Sequence, residues 1–168
     1  KFSIAENGLQ SLPLCIENWT NLRELNLSKN RLSDLPEGIG KMIFLEELNL
    51  SFSGIRALPT TIGQVIRLKR LDASSNRLTE VPEEIGQCQQ LMYLDLQFNK
   101  QLTTLPPSIT TLTQLVHLNL RHSSIKDLPT DMSRLQNLRY LDLRKTALTK
   151  AEIENVRQQL HPDCVVKG

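Results

Sequence analysis

The dipeptide Leu-Pro, once Val-Pro, returns along this chain at an almost fixed interval, and that period limits the fold more than any other property. It stands at Leu12-Pro13, Leu35-Pro36, Leu58-Pro59, Val81-Pro82, Leu105-Pro106 and Leu128-Pro129, at spacings of 23, 23, 23, 24 and 23 residues. The extra residue falls in Asn99-Lys100-Gln101-Leu102, where a loop is expected. A period of this size signals one small unit, stacked many times, that cannot bury its apolar face alone. After each Leu-Pro come apolar positions three residues apart: Ile16, Ile39, Ile62, Ile85, Ile109 and Met132, then Trp19, Met42, Val65, Cys88, Leu112 and Leu135. That spacing suits a short helix or 3₁₀ turn, with Pro at a first helical position where its missing N–H costs nothing. Glu83 and Glu84 would favour the positive end of one such turn. A stretch of the form L-x-x-L-x-L-x-x-N-x-L follows; in the first unit it is Leu22, Leu25, Leu27, Asn30 and Leu32. Alternation puts the leucines on one face of a short strand and the variable residues on the other.

Residues 2 to about 150 resemble the leucine-rich-repeat family on these motifs. The sub-pattern L-P-x-x-I-G-x-L is similar to the class found in intracellular Ras-associated, plant and many bacterial repeat proteins. The resemblance implies an α/β solenoid, a curved horseshoe. Its parallel β-sheet would line the concave face, with short helices or 3₁₀ turns on the convex face. The whole chain, 1–168, reads as a single domain. A partial repeat 1–11, containing Phe2, Ile4, Asn7 and Leu9, precedes repeats 12–34, 35–57, 58–80, 81–104, 105–127 and 128–150. The asparagine positions Asn7, Asn30, Asn76 and Asn99 should stack into a structural ladder, because an amide both donates and accepts. Ser53, Ser123 and Thr146 replace asparagine, so their turns should differ locally.

Beyond Leu148 the pattern changes. Thr149-Lys150-Ala151-Glu152 reads as a capping box opening a helix from about Lys150 to Leu160, with Ile153, Val156 and Leu160 inward. His161-Pro162-Asp163 ends it, and Cys164-Val165-Val166 reads as a final strand, so 151–168 is a helix–strand cap. No comparable cap precedes Phe2, and the chain begins at Lys1 rather than Met. The chain is therefore expected to be a fragment of a longer one.

The formal charge of +2 lacks the basic excess of a generic nucleic-acid binder, and no apolar run is long enough for a membrane span. Cys15, Cys88 and Cys164 are odd in number and form no C-x-x-C pair, which argues against a zinc site or disulfide framework. Without cysteine-rich end caps the reading favours an intracellular, cytoplasmic setting, with a secreted bacterial effector as the alternative. Cys88 falls at a core position and Cys15 at a variable convex one; neither has a histidine placed to make it a nucleophile. No cofactor or metal is expected.

The resemblance places partner binding on the concave face, carried by the variable strand positions. Small polar and acidic residues fill the first three units of these rows, apart from Arg70 and Phe52; the last three offer larger groups. The candidate partner-binding residues are Phe52, Tyr93, Phe98, His117, Arg121, His122, Tyr140 and Arg144. Tyr and Arg are over-represented among residues that dominate binding energy. Residues 85–168 carry ten bases and seven acids, against ten and eleven in residues 1–84. The expectation is a monomeric protein-binding module whose protein partner carries an acidic element. A solvated face with accidental aromatics, and so a structural array without a tight ligand, is one alternative. The recognition part of a larger enzyme or effector is another. Catalysis by this chain is not expected. Asp72 and Asp95 should lie about 5 Å apart on adjacent strands, like the carboxyl pair of a retaining glycosidase or half of a cation site. On an open, wet face, however, nothing is expected to raise either pKa by burial. His117 and His122 lack a third metal ligand.

Overall fold

The computed structural model describes the backbone of residues 1–168 and every side chain but that of Leu14. Eight short strands form one all-parallel sheet in strict chain order. They are β1 (Phe2–Ser3), β2 (Glu24–Asn26), β3 (Glu47–Asn49), β4 (Arg70–Asp72), β5 (Tyr93–Asp95), β6 (His117–Asn119), β7 (Tyr140–Asp142) and β8 (Val165–Lys167). The register advances one repeat per strand: Leu25 faces Leu48, Leu48 faces Leu71, and Leu71 faces Leu94. Between β5 and β6 Tyr93 pairs with His117, so the twenty-fourth residue of that unit is absorbed outside the strand. It lies in the turn closed by Leu102 N–H donating to the Asn99 carbonyl at 3.1 Å. This is the α/β solenoid that the resemblance implies, with 3₁₀ turns opposite the sheet. Those turns are wider than a strand, so the stack bends with its strands on the concave side.

Each leucine of the strand motif points between the layers, and the core runs unbroken from Leu12 to Leu160. The helical elements are 3₁₀ turns at Leu14–Asn18, Glu37–Lys41, Thr60–Gln64, Glu83–Gln87, Pro107–Thr111 and Met132–Arg134. The repeated prolines are not their first residues, as the sequence suggested. Pro13, Pro36, Pro59, Pro82 and Pro106 sit one position earlier, as extended N-caps with ψ near 150°. Their carbonyls accept the first turn's N–H, as Pro36 does from Ile39 at 3.0 Å. A fixed φ suits either position; the extended ψ turns the chain from the Leu that precedes it.

Three asparagines tie each turn to its neighbour. Asn76 Nδ2 donates to the Ala73 carbonyl (3.0 Å) in its own turn and to the Leu50 carbonyl (2.9 Å) one repeat back, while Oδ1 accepts from Ser53 N–H (3.1 Å) and Ile55 N–H (3.0 Å). Asn30 makes the corresponding four bonds and Asn99 three of them, its Oδ1 accepting from Leu78 N–H. Asn7 does not. Its side chain is exposed and donates only to Ala5 of its own turn. The Ser53 hydroxyl still reaches the Leu27 carbonyl one repeat back (2.8 Å), whereas those of Ser123 and Thr146 donate only to Leu120 and Leu143 nearby (both 2.7 Å).

Helix α1 (Lys150–Gln159) opens on a capping box: Glu152 N–H donates to the Thr149 hydroxyl and Thr149 N–H to the Glu152 carboxylate. Val156 and Leu160 are buried and Ile153 half-buried. The closing strand starts at Val165, one residue later than expected, because Cys164 N–H closes a turn onto the His161 carbonyl at 2.8 Å. That shift brings Lys167 onto the sheet beside Asp142.

Candidate functional site

The residue before the second leucine of each strand points into the concave face, and on adjacent strands these side chains lie one strand spacing apart. From β4 onward they are Arg70, Tyr93, His117 and Tyr140, then Val165 on β8. Aromatic rings at that spacing stack. The Tyr93 and His117 rings lie 4.3 Å apart at 13°, and those of His117 and Tyr140 lie 4.5 Å apart at 6°. The Arg70 guanidinium covers the outer face of Tyr93 at 3.6 Å and the Lys167 ammonium that of Tyr140 at 5.1 Å. Three rings capped by two cations thus form one column across β4–β8. Each ring contact of this kind contributes about 0.5–1.5 kcal/mol beyond burial, and the end cations add attraction to the ring faces.

The tyrosine hydroxyls are fixed as well. Tyr93 donates to Asp95 Oδ2 at 3.2 Å and Tyr140 to Asp142 Oδ2 at 3.0 Å. The acids belong to a row, Asn26, Asn49, Asp72, Asp95, Asn119 and Asp142, in which each Oδ1 accepts the N–H two residues on. The row is a turn-forming device. The expectation that this face is too wet to shift a carboxylate is overturned for Asp95, which is only 4% exposed. Burial raises its pKa above the usual 3.8, partly opposed by the bonds it accepts from Gln97, Asn119 and Tyr93. Asp142 is 1% exposed, yet its pKa is lowered: burial pulls upward, but bonds from Arg144 and Tyr140 outweigh it. Arg144 closes on it at 2.6 Å. Burial first, and then the Arg70 charge, hold the His117 imidazole below 6.5. Its Nε2 and the Nε of Arg121 are buried atoms without a hydrogen-bond partner among the described residues.

The residue after each strand's exit forms a second row, Lys29, Phe52, Ser75, Phe98, His122 and Lys145, and all six have φ between 54° and 62°. Non-glycine residues are uncommon there; the sheet's ladder holds them, as where Phe98 N–H donates to Arg121 O at 2.8 Å. Phe98 stacks on His122 at 4.5 Å. The structure therefore brings together Tyr93, His117 and Tyr140 in one column, Phe98 and His122 in a second pair, and Arg121 and Arg144 on the same strand exits. Phe52 stands apart, two repeats before Phe98, 60% exposed and lining a separate cavity. Sequence reasoning missed Arg70 and Lys167 as parts of the column. Strand register signals Arg70, which pairs with Tyr93; Lys167 depends on where the last strand begins. Among the described residues no group of three His, Cys, Asp or Glu is placed to hold a metal, and no helix is long and apolar enough to cross a membrane.

Residues 62–160 match a family described as "leucine-rich repeat region", and residues 20–60 one described as "leucine rich repeats (2 copies)". No curated protein matches in sequence. Among solved structures, an LRR protein of Leptospira interrogans superposes with a TM-score of 0.90 at 34% identity over 95% of this chain, which spans 40% of that protein's length. InlP of Listeria monocytogenes gives a TM-score of 0.71 at 28% identity, over 95% of this chain and 42% of that one. The Arabidopsis receptor kinase HAESA, in complex with the peptide hormone IDA and a co-receptor, gives 0.77 at 27% identity, over 88% of this chain and 26% of that one.

Proposed function

The chain belongs to the leucine-rich-repeat family, and from that premise we propose that it is a recognition module holding a protein partner on its concave face, chiefly over β5–β7. One observation carries the reading: the column Arg70–Tyr93–His117–Tyr140–Lys167. Its rings are locked by stacking and by the Asp95 and Asp142 bonds, so little side-chain entropy is lost when a partner covers them. Those two acids are buried and engaged; over β4–β8 a partner meets Arg70, Arg121, Arg144 and Lys167 against the single half-buried carboxylate of Asp72. An acidic segment complements them. Binding occurs without turnover, since Asp95 accepts from Tyr93, Asn119 and Gln97 twice over and is committed to the fold. HAESA, in complex with a peptide hormone, supplies a precedent for a repeat array of this fold engaging a polypeptide. The module acts as a monomer, to be checked by light scattering. Its free cysteines, one of them the exposed Cys15, suit a reducing compartment.

Affinity capture tests the proposal, with the wild-type chain beside Tyr93→Ala/Arg121→Ala/Tyr140→Ala and beside Arg121→Ala alone. A protein held by wild type, lost by the triple variant and weakened by the single one is the expected result. The single variant leaves the column intact, which separates lost contact from lost packing. Equal retention of the same protein by all three baits would move the site off this face. Retention of nothing by any bait would favour a structural array, in which the column only joins repeats.

A further inference from the structure

The repeat 35–57 departs from its neighbours in the turn after its strand. Lys29-Asn30-Arg31 and Ser75-Asn76-Arg77 flank it, but it reads Phe52-Ser53-Gly54. Gly54 therefore stands in a row between two arginines. Its φ is 81° and a β-carbon there would approach only the Leu32 carbonyl oxygen, at 3.1 Å. The missing side chain leaves a gap, and the gap opens into a cavity of about 570 Å³ on the turn edge of the sheet.

Three arginines line this cavity: Arg31 and Arg77 from the two flanking turns, and Arg56 two residues beyond Gly54. Phe52 supplies an apolar wall, and no acidic residue contributes to the lining. None of the three arginines takes part in a salt bridge among the described residues. Their backbones are fixed by the inter-repeat ladder: Arg31 N–H donates to Leu9 O at 2.8 Å, Arg56 N–H to Ser33 O at 3.1 Å and Arg77 N–H to Ile55 O at 2.9 Å. Three cations with no internal counter-charge repel one another until an anion enters. The guanidinium fork matches the oxygens of phosphate and carboxylate alike. Three positive charges suit a phosphoryl group, which carries about −1.5 to −2 at pH 7, better than a singly charged carboxylate.

We propose that the Arg31–Arg56–Arg77 cavity opened by Gly54 binds a phosphate monoester, with the Phe52 ring against the carrier of the phosphoryl group. The site lies on repeats 12–80, outside the aromatic column, and does not depend on the partner reading above.

The test is a titration of the intact chain followed by NMR of arginine Nε–H groups, at fixed ionic strength and pH 7. The probes are phenyl phosphate, inorganic phosphate and benzoate. Saturable shifts centred on Arg31, Arg56 and Arg77 are expected with phenyl phosphate, weaker ones at the same arginines with inorganic phosphate, and the weakest with benzoate. Arg31→Ala/Arg77→Ala should weaken phenyl phosphate on the order of tenfold or more, as loss of charged hydrogen bonds does. Both side chains are exposed, so an unchanged melting temperature verifies the fold. Phe52→Ala should bring phenyl phosphate down to the level of inorganic phosphate and leave the latter unchanged. Benzoate binding as tightly as phenyl phosphate would overturn the phosphoryl assignment. Shifts spread evenly over all surface arginines, or a double variant that binds like wild type, would remove the site. Phe52→Ala without effect on phenyl phosphate would overturn the ester in favour of free phosphate.

Discussion

Asn99 is fully buried, with its amide donating to Ala73 O and Leu96 O and its oxygen accepting from Leu78 N–H. Asn99→Ala strands all three backbone groups, each costing about 1–3 kcal/mol when left unsatisfied. Urea unfolding should show a loss of about 3 kcal/mol or more, while Asn7→Ala, at an exposed side chain, should change stability by less than about 0.5 kcal/mol. His117 offers a pH test. Its pKa is depressed below 6.5 in the fold, so the unfolded chain takes up the proton more readily. The stability it contributes is therefore complete above pH 6.5 and is lost as pH falls through the folded value. Against His117→Phe, which keeps a ring in the stack, wild type should lose stability progressively below pH 6.5 in unfolding curves taken at several pH values. Asp95 has the opposite sign. Its raised pKa gives a contribution present below pH 3.8 and lost as pH rises through the folded value. Wild type should accordingly fall behind Asp95→Asn as the pH is raised from 3.8. The positions of all these residues were legible in the sequence because the repeat fixes their rows. Their protonation was not: Tyr93 and Gln97 close over Asp95 from its own repeat and Asn119 from the next strand, and the repeat pattern fixes where these side chains start but not how they fold over the carboxylate.

At the scale of elements, the 3₁₀ turns pack more tightly than the strands require. A β-carbon on Gly63 would meet the Glu84 carbonyl oxygen at 2.6 Å and Gln87 Oε1 at 2.8 Å in the next turn. Gly63→Ala should therefore cost about 1–3 kcal/mol, the usual penalty for overpacking, and lower the melting temperature. Thr110 holds the corresponding place one repeat before the shortened turn Met132–Arg134 and is tolerated there, its hydroxyl donating to Pro107 O at 2.9 Å. The glycines of the Ile-Gly pairs, Gly40, Gly63 and Gly86, are thus spacers between repeats. Cap chemistry was legible residue by residue, because a capping box is local; Thr149→Ala should cost about 1 kcal/mol and loosen α1, seen as faster amide exchange at Glu152 and Ile153. The placement of proline was misread by one residue. N-cap and first helical position accept the same φ and differ in ψ, which the proline ring leaves free.

On the scale of the whole molecule, each repeat touches its two neighbours and nothing further, since the sheet runs in chain order from β1 to β8. Stability in such an array is a sum of repeat and interface contributions. Amide exchange should be slowest in β4–β6, which have repeats on both sides, and fastest in β1, a two-residue strand whose Phe2 is 39% exposed. The solenoid itself was the most legible feature, because a 23-residue period admits few architectures. The aromatic column was half legible: its rings lie in one row of the repeat, but its end cations come from outside the cluster that composition singled out. The chain-order ladder also makes the molecule a graded mechanical element. Pulled apart from its two ends, it has no long-range clamp to break all at once. It should peel from the Phe2 end one unit at a time, each 23-residue repeat lengthening the tether by roughly 80 Å at about 3.5 Å per extended residue. The sawtooth should change character where the stacked column of β4–β8 begins to bear the load.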